Sequence, residues 1–367
     1  MVEAMKPFFT EMYGNPSSVH SCGSEARASV EEARSILADS LGCRAEEIYF
    51  TSGGTESDNL ALKGIAWASN SEGNHIITSA VEHHAVLEPC EFLEKRGFHI
   101  TRLPVDAEGL VDPAEVKSAI RAGTILISIM HANNEIGVIQ PIKEIAERAR
   151  EKNIPFHVDA VQTFGHLAIN VDEMGIDLLS VSAHKLYGPK GVGALYVRRG
   201  TRIESLLHGG SQEKGLRAST ENVPSIVGFG RAVEIAARGM GDENSHLRTL
   251  QQKMIRCILD NIPRSRLNGH ANNRLPSNVN VSFQGVSAEA VLLGLDLEGI
   301  AASSGSACTT GVLEPSHVLL ALGLSKKSAE GSLRFTMGRN TTEAEIDTLL
   351  DVLPGIVERL RSVSPLY

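Results

Sequence analysis

The stretch that decides the fold is residues 180–191, Ser-Val-Ser-Ala-His-Lys-Leu-Tyr-Gly-Pro-Lys-Gly. An apolar run over 176–181 leads into it, and a second apolar run over 192–197 follows it. Lys185 therefore lies at the end of a predicted buried strand. Burying an amine there costs desolvation free energy, so we expect the residue to have a function. A desolvated lysine can hold an aldehyde cofactor as a Schiff base. On this stretch alone, a lysine in a surface loop is an equally good interpretation.

Around this stretch, helical and strand patterns alternate through the first two thirds of the chain. Short apolar or β-branched runs, separated by amphipathic helical stretches, predict strands near residues 47–50, 75–78, 98–103, 124–130 and 155–158. This alternation, with nearly continuous apolar strands, predicts an α/β fold. Its mostly parallel sheet would be covered by helices on both faces.

The pattern changes at residues 238–245, which are polar and contain two glycines. This segment predicts a break and places the domain boundary there, between a large domain over 1–243 and a smaller C-terminal domain over 244–367. A long helix is predicted over 245–261, followed by strands near 278–283 and 332–337. The second domain is therefore predicted to be an α+β unit.

Composition excludes several classes of function. The 367 residues carry 35 Lys and Arg against 44 Asp and Glu, a net charge of −9, which argues against nucleic-acid and anionic-membrane binding. No apolar run approaches the roughly 20 residues of a membrane helix, and no signal peptide is evident. The five cysteines are scattered, without metal-ligand spacing. We therefore expect a cytoplasmic protein with free thiols and no metal site.

Two segments of the predicted large domain could hold the ends of one flat, anionic cofactor. Gly53 and Gly54 separate a strand from a helix that starts with Thr55, a turn suited to a phosphate. Asp159 ends an apolar strand and could pair with a protonated pyridine nitrogen, while Gln162 could donate to a ring oxygen. The alternatives are a tight strand–helix turn and an aspartate that caps the next segment.

Other polar side chains follow predicted strand ends or lie in nearby loops. His83 could stack on an aromatic ring or move protons. Asn134 could bind a carboxylate or a ring oxygen. Arg217 and Thr220 lie in a glycine-flanked loop and could reach a phosphate. Each of these taken alone is more often a structural or surface residue.

The predicted second domain contains a cysteine and an arginine that could take part in catalysis or binding. Cys308 is flanked by Ser, Gly, Ala and Thr, which makes its thiol accessible and a candidate nucleophile. Arg334 lies in a mostly apolar strand and needs a partner, for which a substrate carboxylate is suitable. The remaining cysteines lie in helical or apolar contexts, which favours inert thiols.

Taken together, these segments resemble the class V, fold type I pyridoxal-phosphate enzymes, and specifically the cysteine desulfurases. The resemblance covers essentially the whole chain. Its signature segments are TSGGTESDNLALKG (51–64), MHANNEIG (130–137), VDAVQ (158–162), SAHKLYGPKG (182–191) and SSGSACTTGVLEPSHVL (303–319). The long segment around Cys308 is similar to that of the desulfurase group that supplies sulfur for iron–sulfur clusters or tRNA thiolation.

The resemblance implies a role for each matching residue. Lys185 would carry pyridoxal 5′-phosphate as a Schiff base, with Asp159 on the pyridine nitrogen and Gln162 on the ring oxygen. His83 would stack on the ring. The residues implied to bind the phosphate are Gly54, Thr55, Ser182, His184 and, from the neighbouring subunit of a homodimer, Thr220.

The remaining implied roles concern the substrate. Asn134 and Arg334 would bind the carboxylate of L-cysteine. Cys308 would take its sulfur as a persulfide, release L-alanine and pass the sulfur to an iron–sulfur scaffold protein or another acceptor. A mobile loop suits a thiol that must visit both the substrate and the acceptor.

One feature of the family is absent from this sequence. Its members usually begin with a strand containing an Ala-Thr-Thr-Pro-like segment, whereas this chain opens at Val2-Glu3-Ala4-Met5. Those residues line the substrate side, so a truncated, scaffold-like homologue with reduced activity is one alternative. Another is a selenocysteine lyase or a different class V enzyme. Cys308 argues against a plain aminotransferase, which needs no thiol.

Overall fold

The computed structural model describes residues 1–69, 71–304 and 315–363. The helices in these ranges are α1 (Val2–Met5), α2 (Pro7–Thr10), α3 (Ser21–Leu41), α4 (Gly54–Ala68), α5 (His84–Glu94), α6 (Pro113–Ala119), α7 (Ile142–Arg150), α8 (Val223–Asn261), α9 (Ala288–Leu297), α10 (His317–Ala321), α11 (Lys326–Glu330) and α12 (Glu343–Val363). The strands are β1 (Ile48–Thr51), β2 (His75–Ser79), β3 (His99–Leu103), β4 (Thr124–Ser128), β5 (Phe156–Asp159), β6 (Leu178–Ser182), β7 (Gly193–Val197), β8 (Ser265–Leu267), β9 (Asn278–Phe283), β10 (Ser303–Ser304) and β11 (Ser332–Thr336). Short 3-10 helices cover Ala45–Glu47, Ala183–Leu186 and Gln212–Gly215.

The larger sheet has the strand order β1-β7-β6-β5-β4-β2-β3. Strands β3, β2, β4, β5 and β6 pair in parallel, whereas β7 runs antiparallel to both of its neighbours, β6 and β1. Every residue of β2, β5, β6 and β7 is buried, as expected for strands covered on both faces. The predicted α/β class with a mostly parallel sheet is confirmed.

Helix α4 is fixed against this sheet by its apolar face. Leu60, Leu62 and Ile65 are at most 1% exposed and pack with Ile76 of β2 and Leu178 of β6. Burial of one such side chain contributes about 1.5–3 kcal/mol. The core therefore determines where the N-terminus of α4 lies relative to the sheet.

The strands that share one direction place their carboxyl ends at the same edge of the sheet. Each of them except β3 ends there in a polar side chain: Thr51, Ser79, Ser128, Asp159 and Ser182. Ligands of open α/β sheets bind outside this edge. The 3-10 helix Ala183–Leu186, which carries Lys185, follows β6 directly at this edge.

A second, antiparallel sheet has the strand order β10-β11-β9-β8. Its core is built from β9, β11, α9, α12 and the C-terminal part of α8, with Val281, Leu295, Leu333 and Leu353 fully buried. Pro354 lies inside α12. Strands β8 and β10 and helices α10 and α11 were not predicted.

The described chain divides into two compact units. The first comprises 1–103, 113–131 and 141–240, and the second comprises 104–112, 132–140 and 241–367. The division at 240/241 lies near the predicted boundary at 243/244. The segments 104–112 and 132–140, however, belong to the second unit, although the sequence placed them in the large domain.

The predicted break at 238–245 is wrong as secondary structure, and so is the helix start at 245. Helix α8 continues through Gly239 and Gly241, where an added Cβ would meet nothing within 4 Å. Buried apolar residues continue on both sides, including Ala236 and Leu247. A glycine inside a helix costs about 1 kcal/mol relative to alanine, and this packing outweighs that cost.

No helix in the described ranges combines the length and apolarity that membrane crossing requires.

Candidate active site

The turn between β1 and α4 forms a potential anion-binding helix start. Gly53 is the N-cap of α4, and in the part of the chain that the structure describes no side-chain cap bonds to the first turn of this helix. Gly53 has a φ of +155°, and a Cβ at Gly54 would lie 2.5 Å from Cγ2 of Val161. Glycine at both positions therefore lets α4 begin against the segment that follows β5. The exposed N–H groups and the helix dipole at such an end favour a phosphate.

Asp159 ends β5 in a nearly dry environment, with 6% of the residue exposed. Its Oδ1 accepts a hydrogen bond from the backbone N–H of Val161 at 2.9 Å. Burial raises the pKa of this carboxyl to about 6, against the lowering effects of that hydrogen bond and of the Lys185 ammonium. Asp159 and Lys185 are therefore electrostatic neighbours at the carboxyl edge of the sheet.

The 3-10 helix that carries Lys185 is held by polar contacts. The Nε2 of His166 hydrogen-bonds the carbonyl oxygen of Lys185 at 2.8 Å. Ser182 Oγ and His184 Nδ1 lie 2.9 Å apart, and a Cβ at Gly53 would lie 3.9 Å from that same Oγ. Ser182 therefore faces the start of α4, so the hydroxyl and the helix N-terminus can act on one anion.

His83 is positioned by its own helix. It is the N-cap of α5, and its Nδ1 accepts a hydrogen bond from the N–H of Ala85 at 3.0 Å. A neutral ring in this arrangement carries its proton on Nε2. Thr55 and His83 line one cavity of about 550 Å³. Gln162 is half-buried and lies three residues after Asp159.

Thr220 is exposed, in the loop that follows the 3-10 helix Gln212–Gly215. Arg217, which the sequence suggested as a residue that could reach a phosphate, pairs with Glu56 of α4, with 2.8 Å between Nε and Oε1. Glu56 also accepts a hydrogen bond from the N–H of Ser52 at 2.8 Å. This ion pair ties the loop of Thr220 to the first turn of α4.

Asn134 and Arg334 belong to the second unit, where they meet directly. The Nη1 of Arg334 donates to the backbone oxygen of Asn134 at 2.9 Å, whereas its buried Nε makes no hydrogen bond with any of the described residues. Glu135 is 7% exposed, and burial raises the pKa of its carboxyl to about 7. This carboxylate accepts a 2.5 Å hydrogen bond from Ser316, the N-cap of α10.

Cys308 lies outside the described residues. The four described cysteines are free thiols, and Cys90 is buried whereas Cys22 is exposed. Burial raises the pKa of both Cys43 and Cys90 to about 12. Neither of these two thiols forms a thiolate near neutral pH, which agrees with the expectation that they are inert.

The structure brings together Gly54, Ser182 and the Asp159–Lys185 pair within the first unit, and Asn134 with Arg334 within the second. The sequence interpretation missed the buried polar side chains around Asp159, namely Asp58, Glu82, His131, His157 and Ser180. His157 could have been found, because side chains two residues apart on a strand point to the same face. Among the described residues, no group of three or more His, Cys, Asp or Glu side chains is arranged to hold a metal ion.

Comparison with known proteins places these features in a family. The family model described as aminotransferase class-V matches residues 1–349. The cysteine desulfurase IscS of Dictyoglomus turgidum is 58% identical over 363 residues, covering 99% of this chain and 92% of that protein. The cysteine desulfurase IscS of Methanosarcina thermophila is 54% identical over 366 residues, covering 100% of this chain and 90% of that protein.

Solved structures agree with this similarity. A structure titled NifS-like protein superposes with a TM-score of 0.92 at 38% identity, covering 98% of this chain and 95% of that one. A structure titled SspA in complex with cysteine superposes with a TM-score of 0.81 at 41% identity, covering 93% of this chain and 95% of that one.

Proposed function

The chain belongs to the aminotransferase class-V family, among the cysteine desulfurases, and on that premise we propose that it removes sulfur from L-cysteine with pyridoxal 5′-phosphate held on Lys185. The observation that carries the proposal is the buried Asp159 beside Lys185, at the sheet edge where α4 begins at a glycine turn. A buried carboxylate, an amine and an uncapped helix N-terminus match the ring nitrogen, the aldehyde and the phosphate of this cofactor.

The residues of the first unit fit the cofactor in detail. Asp159 would accept a hydrogen bond from the protonated ring nitrogen, and Gln162 would donate to the ring oxygen. The N–H groups of Gly54 and Thr55, with the side chains of Ser182 and His184, would hold the phosphate. When bound, the cofactor withdraws electrons from the substrate, so that the bond to its β-sulfur can break.

His83 would position the cofactor, and Lys185 would bind it and carry a proton. With Nδ1 engaged by the N–H of Ala85, the ring of His83 is fixed in orientation and can cover one face of the cofactor. Lys185 would bind the cofactor aldehyde covalently and, when released by substrate, would carry a proton on Nζ.

Asn134 and Arg334 would bind the substrate carboxylate. Within the described part of the chain the Nε of Arg334 has no hydrogen-bond partner, so one side of its planar guanidinium can engage a carboxylate oxygen. The thiolate of Cys308 would attack the substrate sulfur. An S–S bond then forms as the Cβ–S bond breaks, and the released electron pair takes up a proton to give L-alanine.

We further propose a cytoplasmic homodimer that passes the persulfide sulfur to an acceptor protein. The exposed position of Thr220, on a loop tied to α4 by the Arg217–Glu56 ion pair, suits a contact with the phosphate of a neighbouring subunit. The acceptor would be an iron–sulfur scaffold protein or a carrier for tRNA thiolation. The free thiols of the described chain support a reducing compartment.

Cofactor loading tests this assignment. Purified apoprotein is titrated with pyridoxal 5′-phosphate, and the visible absorbance of the lysine adduct is followed before and after borohydride reduction. We expect saturable binding in the wild type and a reduced adduct on the peptide containing Lys185. K185A should show neither, whereas K190A, which changes a lysine five residues later, should behave as the wild type. Failure of the wild type to bind the cofactor would refute the proposal.

A further inference from the structure

A chain of buried polar side chains crosses the large sheet below Asp159. His157 lies two residues before Asp159 on β5 and is fully buried. Its Nδ1 lies 2.8 Å from Oγ of Ser128 on β4, and its Nε2 lies 3.0 Å from Oγ of Ser180 on β6. One imidazole thus joins three neighbouring strands at the ends that form the proposed cofactor site.

Asp58 of α4 closes this chain from the helix side. It is 1% exposed, its Oδ1 lies 3.6 Å from Nε2 of His157, and it hydrogen-bonds with the Ser180 side chain. The Oδ1 atom makes no hydrogen bond to any residue in the described ranges. The 3.6 Å contact is not an ion pair, because burial lowers the pKa of His157 to about 3 and leaves its ring neutral.

The charged surroundings disfavour a carboxylate at Asp58. Burial raises the pKa of Asp58 well above its usual range, and the nearby carboxyls of Asp159 and Glu82 raise it further, which outweighs the hydrogen bond with Ser180. Glu82 is itself fully buried, and burial raises the pKa of its carboxyl to about 8. The Lys185 ammonium lowers the pKa of Asp159, whereas burial lowers the pKa of His131 to about 4 and leaves its ring neutral. At Asp159 the Lys185 ammonium opposes the effect of burial, whereas at Asp58 the neighbouring carboxyls of Asp159 and Glu82 act in the same direction as burial.

We propose that Asp58 is a positioning residue, an un-ionised carboxylic acid that donates its proton to Ser180 and, through Ser180 and His157, holds the end of β5 so that Asp159 remains the ionised partner of the cofactor. The inference rests on the proposed cofactor site. Ser180 then donates to Nε2 of His157, and the Nδ1–H of His157 donates to Ser128. An ionised Asp58 would reverse every one of these hydrogen bonds.

Infrared difference spectroscopy of the apoprotein tests the protonation state directly. At neutral pH, wild type minus D58N should show the loss of a protonated carboxyl C=O stretch. S180A should shift this band without removing it, because it deletes the hydrogen-bond partner of Asp58 and keeps the acid. Loss of a carboxylate band in place of the protonated one would overturn the proposal.

Cofactor titration tests the positioning role. D58N keeps a neutral hydrogen-bond donor. Its Kd for pyridoxal 5′-phosphate should therefore stay within about threefold of the wild-type value. The pH midpoint of the bound cofactor's absorbance should equal that of the wild type within error. H157F leaves Ser128 and Ser180 without their partner and should weaken binding about tenfold. Thermal unfolding of each apoprotein checks folding.

The outcomes separate the two proposals. A shifted absorbance midpoint in D58N, or unchanged cofactor affinity in a folded H157F, would contradict the role of Asp58 while the wild type still binds cofactor. If the wild type binds none, the cofactor site itself is wrong, and the infrared experiment still decides the state of Asp58.

Discussion

Both terminal nitrogens of Arg34 in α3 donate hydrogen bonds to the carboxylate of Glu213, at 2.7 and 2.8 Å. Both side chains are buried, with 6% and 3% exposed. Glu213 also accepts a hydrogen bond from the N–H of Phe50 in β1. It lies in the 3-10 helix Gln212–Gly215, where Glu213 and Lys214 have φ values of 45° and 57°. A buried ion pair therefore holds a strained turn ahead of Thr220.

This pair predicts a large difference between two glutamates that contact the same arginine. E213A leaves the guanidinium of Arg34 buried without its main partner and should lower the free energy of unfolding by about 3–5 kcal/mol. E31A removes an exposed partner of Arg34 and should cost less than about 1 kcal/mol. Urea unfolding of the apoproteins measures both, and equal losses would contradict this assignment.

Glu82 predicts a pH-dependent stability. Its folded pKa of about 8 lies above its ordinary value of 4.5, so the folded state binds more protons than the unfolded state between these values. Stability should therefore fall as pH rises through this window. E82Q lacks this titrating carboxyl, so its free energy of unfolding relative to that of the wild type should rise by a few kcal/mol between about pH 5 and pH 8. Denaturant unfolding at both pH values measures the gap, with the exposed E88Q as control. A gap that stays constant would refute the buried, raised-pKa assignment.

Two helix caps in the second unit should differ in strength. Ser316 caps α10 through the N–H of Leu319 and also donates to the buried Glu135. Ser325 caps α11 through the N–H of Ser328 on an exposed turn. S316A should cost about 2–3 kcal/mol because it removes a cap and also leaves Glu135 without this donor. S325A should cost about 1 kcal/mol. Thermal unfolding compares them, and a larger loss in S325A would count against the role of Glu135.

The role proposed for Arg334 predicts a defect in substrate binding. R334Q removes a charge-assisted contact to the cysteine carboxylate and should raise KM about 10- to 100-fold. Its cofactor absorbance should stay that of the wild type. R359Q, on the exposed face of α12, provides a matched control. Steady-state rates over a range of L-cysteine measure the effect, and an unchanged KM would remove Arg334 from the carboxylate site.

Local sequence patterns predicted most of the fold. Strand and helix alternation predicted the parallel sheet, because strands covered on both faces are continuously apolar, as in β2 and β6. The strand ends at Asp159 and Ser182 could be placed at one edge for the same reason. The continuity of α8 could not be predicted, since two glycines and a polar run locally favour a break and only packing against distant residues decides otherwise.

Long-range contacts were beyond the sequence patterns. The segment 132–140 belongs to the second unit, where Asn278 and Asn280 both donate to the backbone oxygen of Glu135. No periodicity reports a hydrogen bond across more than 140 positions of the chain. Asp58 likewise resembles an ordinary polar residue of a helix, and its burial against His157 is visible only in three dimensions.

The most direct test of the account is a single turnover with L-cysteine and no sulfur acceptor. Cofactor-loaded enzyme is mixed with L-cysteine, L-alanine is quantified, and the Cys308 peptide is examined by mass spectrometry. The account predicts stoichiometric L-alanine and an added sulfur atom on Cys308. It also predicts neither in K185A, and in C308A a normal cofactor spectrum without persulfide. L-alanine formed at the wild-type rate by C308A, or a wild type that loads cofactor and leaves L-cysteine intact, would contradict it.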